Sequence, residues 1–151
     1  MTTKNETTVT LREITKETYR SILRLEVAEG QRKFVAANAV SIAEAHFSEQ
    51  AWFRAIYAGE TPVGFVMLAL EPEYAKYTLW RLMIDRNHQG KGYGRRAMGL
   101  VIEHVKRQYC ASELTLSYVP GEGDPSAFYR KLGFVETGEW DDDERVMKLV
   151  F

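Results

Sequence analysis

A mixed α/β fold, one sheet covered by helices, is predicted by three features of this chain. Runs rich in β-branched and aromatic residues are interleaved with runs of helical period. The apolar run Leu82-Met83-Ile84 passes through a turn with glycines at 90, 92 and 94 into a basic helix, the crossover that parallel strands require. At 151 residues the chain has the length of one ordinary domain, and no linker, internal repeat or low-complexity segment divides it. A single unit over 1–151 is expected, with residues 1–6 disordered.

Val9 to Ile14 alternates as a half-buried strand, and Thr15 to Leu25 carries Tyr19, Ile22, Leu23 and Leu25 at helical spacing. An irregular arm from Gly30 to Ala39 follows. Ser41 then reads as the N-cap of a second short helix, with Glu44 completing a capping box. Trp52–Tyr57 and Val63–Leu70 are strands joined by the hairpin residues 58–62, and Tyr77–Ile84 is the next strand. After the glycine turn, Ala97, Val101 and Val105 recur four apart, with Met98, Ile102 and Tyr109 widening the apolar face of a helix that ends near Cys110. Glu113–Tyr118 alternates as a strand, Pro125–Leu132 is a short helix stopped by Gly133, and Arg145–Phe151 is the final strand. Asp141-Asp142-Asp143-Glu144 reads as the hairpin turn before it. The predicted order is β-α-α-β-β-β-α-β-α-β-β.

A formal charge of −1 and a pI near 6.3 give no bulk attraction for nucleic acid or an anionic membrane surface. No apolar run reaches the ~18 residues a membrane span needs, so the 45% hydrophobic content is core material. Cys110 has no partner for a disulfide, and the polar start lacks the apolar core of a signal peptide, so the cytoplasm is the expected compartment. His46, His88 and His104 form no recognisable metal or nucleophile constellation, and no metal is expected.

Glycines at 90, 92 and 94 free one lip of the turn of side chains, so backbone N–H groups at the positive end of the next helix can converge on an anion. Lys91, Arg95 and Arg96 add charge to that field. The pattern lacks the Gly-Lys-Ser/Thr of a Walker loop and does not follow the first strand as a dinucleotide fingerprint would. The Gln89-x-x-Gly92-x-Gly94 spacing resembles the acyl-CoA signature of the GNAT N-acetyltransferase superfamily. Downstream, Phe128-Tyr129-Arg130-Lys131-Leu132-Gly133-Phe134 resembles that family's second motif.

The resemblance implies the GNAT fold, with the strands of Tyr77–Ile84 and Glu113–Tyr118 splayed around the cofactor, and acetyl-CoA as that cofactor. It implies that Gln89, Gly90, Lys91, Gly92, Tyr93, Gly94 and Arg95 hold the diphosphate. The backbone of Leu82, Met83 and Ile84 would receive the pantetheine arm as an added strand. Phe128 and Lys131 fall in the second cofactor motif, where Arg130 and Lys131 face either the 3′-phosphate or plain solvent. Tyr129 is the candidate general acid, since a phenol at about 10 can protonate a leaving thiolate whose basicity is near that of cysteine, about 8.5. Core packing, or a simple hydrogen bond to the cofactor, is the competing reading of that ring.

A carboxylate acting through water is the family's usual base, and Glu26, Glu71, Glu73 and Glu122 are candidates among which the sequence does not choose. The loop Val119–Pro125 carries no asparagine where many family members have one. The run Gln31-x-x-Phe34-Val35-Ala36-x-Asn38-x-x-Ser41-Ile42-Ala43-Glu44-Ala45, with Gly64–Met67 and Arg81–Asp85, is similar to bacterial spermine/spermidine acetyltransferases of the Bacillus type. That similarity implies a small-molecule amine as partner, and a homodimer as an assembly common in the superfamily. Glu26, Phe34, Asn38, Glu71, Glu73 and Tyr74 lie in the segments expected to form its groove, where carboxylates and aromatic faces would engage ammonium groups. Acetylation of a protein N-terminus, a lysine or an aminoglycoside stays open, as does a non-catalytic acyl-CoA-binding module.

Overall fold

The computed structural model describes residues 7–151, so the expectation for residues 1–6 lies outside the described residues. Its strands are β1 (Val9–Arg12), β2 (Ala51–Ala58), β3 (Thr61–Glu71), β4 (Lys76–Ile84), β5 (Glu113–Tyr118), β6 (Val135–Asp141) and β7 (Glu144–Val150). The helices are α1 (Tyr19–Leu23), α2 (Asn38–His46), α3 (Tyr93–Tyr109) and α4 (Ser126–Lys131). The strands form one seven-stranded sheet in the order β1-β2-β3-β4-β5-β7-β6. Among the described residues only β4 and β5 pair in parallel, and α3 is their crossover.

Alternation along β3 divides the core between the two faces of the sheet. Val66 and Leu68 join Met98, Val101 and Val105 of α3 on one face, while Phe65 and Met67 join Ile22 of α1 and Ala45 of α2 on the other. With helices on both faces, β3 reads as a continuous apolar run. Gly64 is required where β3 meets β4, because an added Cβ would collide with the Met83 carbonyl oxygen.

Two helix starts differ from the sequence expectation. α1 is a five-residue helix entered through turns from Thr15, since Thr15 and Thr18 hydrogen-bond each other and hold the chain in a turn. α2 begins at Asn38, not at Ser41. Ser41 lies inside the helix, almost wholly buried, and Glu44 reaches Arg81 at 3.2 Å instead of closing a capping box. The deciding residue is Asn38, whose buried Nδ2 donates to the Ile22 carbonyl at 2.9 Å and ties the start of α2 to α1.

Candidate active site

β4 and β5 pair only at Thr78–Thr115 and Leu79–Leu116, although β4 runs on to Ile84 and β5 to Tyr118. The cause lies on the other edge of β4. Pairing with β3 skips from Met67–Arg81 to Leu68–Leu79, leaving Trp80 as an extra residue. Such a bulge bends its strand, and this one lies where β4 leaves β5. The strands part, and a cleft of about 590 Å³ opens between the end of β4 and the segment that follows β5. Leu82, Met83 and Ile84 line it, with their backbone unpaired by any strand on the β5 side.

At the end of β4 the chain turns through a short 3-10 segment, Arg86–His88, capped by the Asp85 carboxylate, which accepts from the Asn87 N–H at 3.1 Å. Gly90 and Gly92 then take φ of 75° and 80°, where a side chain is strained, and an added Cβ at either would meet open space. Gly92 is the N-cap of α3 and supplies no side-chain cap, so the first N–H groups of a 17-residue helix point into the cleft's end without a side-chain acceptor. Gly94 has a different reason. A Cβ there would stand 3.3 Å from the Phe128 ring, so glycine lets α4 close over α3.

α4 brings Tyr129 to the opposite wall. Asp124 sets the start of this helix, its Oδ1 accepting from the Ser126 N–H and its Oδ2 from the Gly121 N–H, both at 2.9 Å. Burial opposes charge on Asp124, but these hydrogen bonds, the Ser126 side chain and Arg130 hold its carboxyl below the usual range. Gly133, at φ 102°, ends the helix and returns the chain so that Phe134 packs edge-on to Tyr129 at 5.7 Å. Tyr129 also stacks edge-on with Phe128 at 5.2 Å, and only 8% of it is exposed, at the cleft. Among the described residues its hydroxyl has no partner, and burial pushes its pKa up, so it keeps its proton.

The chain from residue 9 to 134 matches the model of the acetyltransferase (GNAT) family. The chain belongs to that family. It is 28% identical over 149 residues to a spermine/spermidine N(1)-acetyltransferase of Bacillus subtilis, covering 92% of this chain and 96% of the relative. Among solved structures it is similar to a spermidine N-acetyltransferase from Vibrio cholerae in complex with CoA and spermine. The TM-score is 0.73 at 17% identity, over 94% of this chain and 95% of that one. A GNAT family acetyltransferase from Elizabethkingia anophelis with acetyl-CoA bound superimposes with a TM-score of 0.68 at 12% identity, over 98% and 100% of the two chains. These two likenesses speak for the fold, which is that of the GNAT acetyltransferases. The protein is thus an acetyl-CoA-dependent N-acetyltransferase with CoA as its cofactor.

The residues of this acetyltransferase suit that cofactor: the uncapped start of α3, the open space over Gly90 and Gly92, and Arg95 beside them offer donors to a diphosphate. Of the residues singled out in the sequence, Leu82, Met83, Ile84, Gln89, Gly90, Gly92, Tyr93, Gly94, Arg95, Phe128, Tyr129 and Phe34 line the cleft. Lys91 and Lys131 are exposed and off its walls. Arg96 is turned away, donating to the Thr7 carbonyl and lying over the Tyr93 ring. Arg130 pairs with Glu136 at 3.2 Å.

The acceptor candidates fare less well. Asn38 is a buried structural amide, held by Ile22 and the Met83 sulfur. Glu71, Glu73 and Tyr74 sit at the β3–β4 hairpin, the other end of β4 from the turn, and Glu73 borders a separate surface hollow with Trp52 and Tyr109. Glu26 is exposed, pairs with Arg32 at 3.5 Å and does not line the cleft, and neither does Glu122. The hairpin residues were singled out for their carboxylates and aromatic face in the segments expected to form the groove, and side-chain chemistry does not report which end of a strand a loop occupies.

Sequence reasoning missed Val27, Gln31, Val35, Gly123, Asp124 and Pro125 as cleft residues, and His88 as well. Gln31 and Val35 lay within the motif run beside Phe34, which was a usable signal. His104 stacks on Trp52 at 4.5 Å outside the cleft, and burial lowers its pKa. Among the described residues there is no cluster of three or more metal-type side chains, and no helix is long and apolar enough to cross a membrane.

Proposed function

We propose that this acetyltransferase acetylates a primary amine of a polyamine, spermine or spermidine, by direct attack within a ternary complex. The observation that carries the reading is the Tyr129 phenol, proton-bearing and without a hydrogen-bond partner among the described residues, in the same cleft as the uncapped start of α3. Similarity to the Bacillus subtilis enzyme over 92% of the chain supports the choice of acceptor.

Bound acetyl-CoA would supply an acetyl thioester: the neutral amine nitrogen would form the C–N bond as the C–S bond breaks, the nitrogen's proton passing to water and the sulfur taking one from Tyr129, which water reprotonates. The first-turn N–H groups of α3 and the Arg95 guanidinium hold the diphosphate. The open edge of β4 at Leu82–Ile84 receives the amides of the pantetheine arm. Tyr129 holds its proton at Oη until the departing sulfur takes it; an ordinary phenol is already protonated at neutral pH, and burial extends that to more alkaline pH. Val27, Phe34 and Val35 form an apolar wall suited to the methylene spacers of a polyamine.

The test is thiol release from acetyl-CoA with spermine, spermidine, a lysine peptide and an aminoglycoside as acceptors. Release that depends on the polyamines supports the reading. Turnover of the peptide or the aminoglycoside alone replaces the substrate class, and CoA binding without release for any amine replaces the enzyme with a binding module.

A further inference from the structure

The wall formed by Val27, Phe34 and Val35 belongs to the arm between α1 and α2, whose regular structure amounts to one 3-10 turn, Glu29–Gln31. Such a segment has little local stability of its own. It is fastened to the end of β4 and the cofactor turn. The Glu26 N–H donates to the buried Asp85 carboxylate at 2.9 Å, and the Glu26 carbonyl accepts from the Arg86 N–H at 2.8 Å. Farther along, the Gln89 side chain donates to Gln31 Oε1 at 2.7 Å and to the Ile84 carbonyl at 3.0 Å.

The orientation of both amides is forced. The Ala28 N–H, a donor only, lies 3.2 Å from Gln31, so the Gln31 atom facing it is the oxygen. The Gln89 atom facing that oxygen, and facing the Ile84 carbonyl, is then the nitrogen. Gln89 therefore bridges the end of β4 and the acceptor arm, one residue before Gly90.

We propose that Gln89 and Gln31 form a latch through which an occupied cofactor turn fixes the acceptor wall, making Gln89 a positioning residue for the amine. This rests on the reading of the turn as the CoA site. A cofactor that holds residues 89–95 still also holds the Gln89 amide, and through Gln31 the turn at Ala28–Gln31 from which Phe34 and Val35 continue.

Amide hydrogen exchange of residues 26–35 in the full chain, with and without saturating CoA, tests the latch. In the wild type, CoA slows exchange in the arm as well as in the turn. In Gln89→Leu and in Gln31→Leu it slows exchange in the turn alone, and the double variant adds nothing to either single one. Gln31→Glu keeps an oxygen for both donors and retains the arm's response, whereas Gln89→Glu sets acceptor against acceptor and loses it. These two polar variants decide the matter if the leucine variants do not fold. With spermidine, Gln89→Leu raises the amine KM by about three- to tenfold, more than it changes kcat, as loss of the one neutral hydrogen bond across the latch implies, the other, to Ile84, lying within the cofactor side. Arm protection that survives in Gln89→Glu, or additive effects in the double variant, overturns the latch while leaving the CoA site standing. A wild type that does not bind CoA overturns the reading of the turn and the latch together.

Discussion

The cofactor side of the cleft, residues 82–95, is a continuous strand, turn and helix, whereas the facing arm, residues 26–35, has a single 3-10 turn and is fastened to partners more than fifty residues away. The first wall follows from local rules: an apolar strand, glycines where φ is positive, and a helix start left uncapped. The second has its own turn bonds and the packing of Val27 and Val35 on the core, and Asp85 and Gln89 accept and donate across the gap to fasten it. A rigid wall suits the one part of the reaction that never changes, the CoA diphosphate. A wall held by a few hydrogen bonds suits the part that must admit and release an amine.

The largest expected effect lies at Tyr129, which α4 brings to the same cleft. Tyr129→Phe removes the acid while keeping the ring packed on Phe128 and Phe134. Thiol release is expected to fall by roughly 10²-fold or more, with CoA affinity by calorimetry within about threefold of wild type. Because burial raises the pKa of Tyr129, release in the wild type should not lose this acid as pH rises toward the ordinary tyrosine value of about 10. A decline near pH 8 that is absent in Tyr129→Phe would sink the assignment.

A smaller effect separates the walls. Gly92→Val forces a β-branched residue to φ 80°, a strain of about 1–2 kcal/mol or more that the helix start must relieve by moving. CoA affinity should drop about tenfold, and unchanged affinity would mean that the start of α3 is not the anion site. On the arm side, Asp85→Asn replaces one carboxylate oxygen by an N–H group, so that either the Glu26 or the Asn87 N–H loses its acceptor. A stability loss of about 1–3 kcal/mol, or a Tm lower by a few degrees, is expected, with the amine KM raised more than the CoA Kd. Equal changes in KM and Kd would mean that the two walls are not separable.

The contrast also explains what could be read in advance. The glycine turn, the motif around Tyr129 and the face of α3 are each contiguous or periodic, so composition and spacing carry them. The start of α2 was misplaced because Ser41 looks like a cap, while the deciding contact, Asn38 to the Ile22 carbonyl, spans sixteen residues. Glu71, Glu73 and Tyr74 had suitable chemistry for an ammonium group but sit at the β3–β4 hairpin, off the cleft's walls. Gln31 was visible only as part of a motif, since its partner Gln89 lies 58 residues later.

The sequence by itself determined the order of elements, the GNAT resemblance and the place of the glycine turn, because periodicity, glycine φ preference and helix-end geometry act over a few neighbouring residues. Tertiary structure decided the rest. The Trp80 bulge that opens β4 from β5, the close approach of α4 over Gly94 and the fastening of the arm each arise from a register or a hydrogen bond between distant segments. Such pairings are set by how whole strands and helices settle against one another, which no short window of residues specifies.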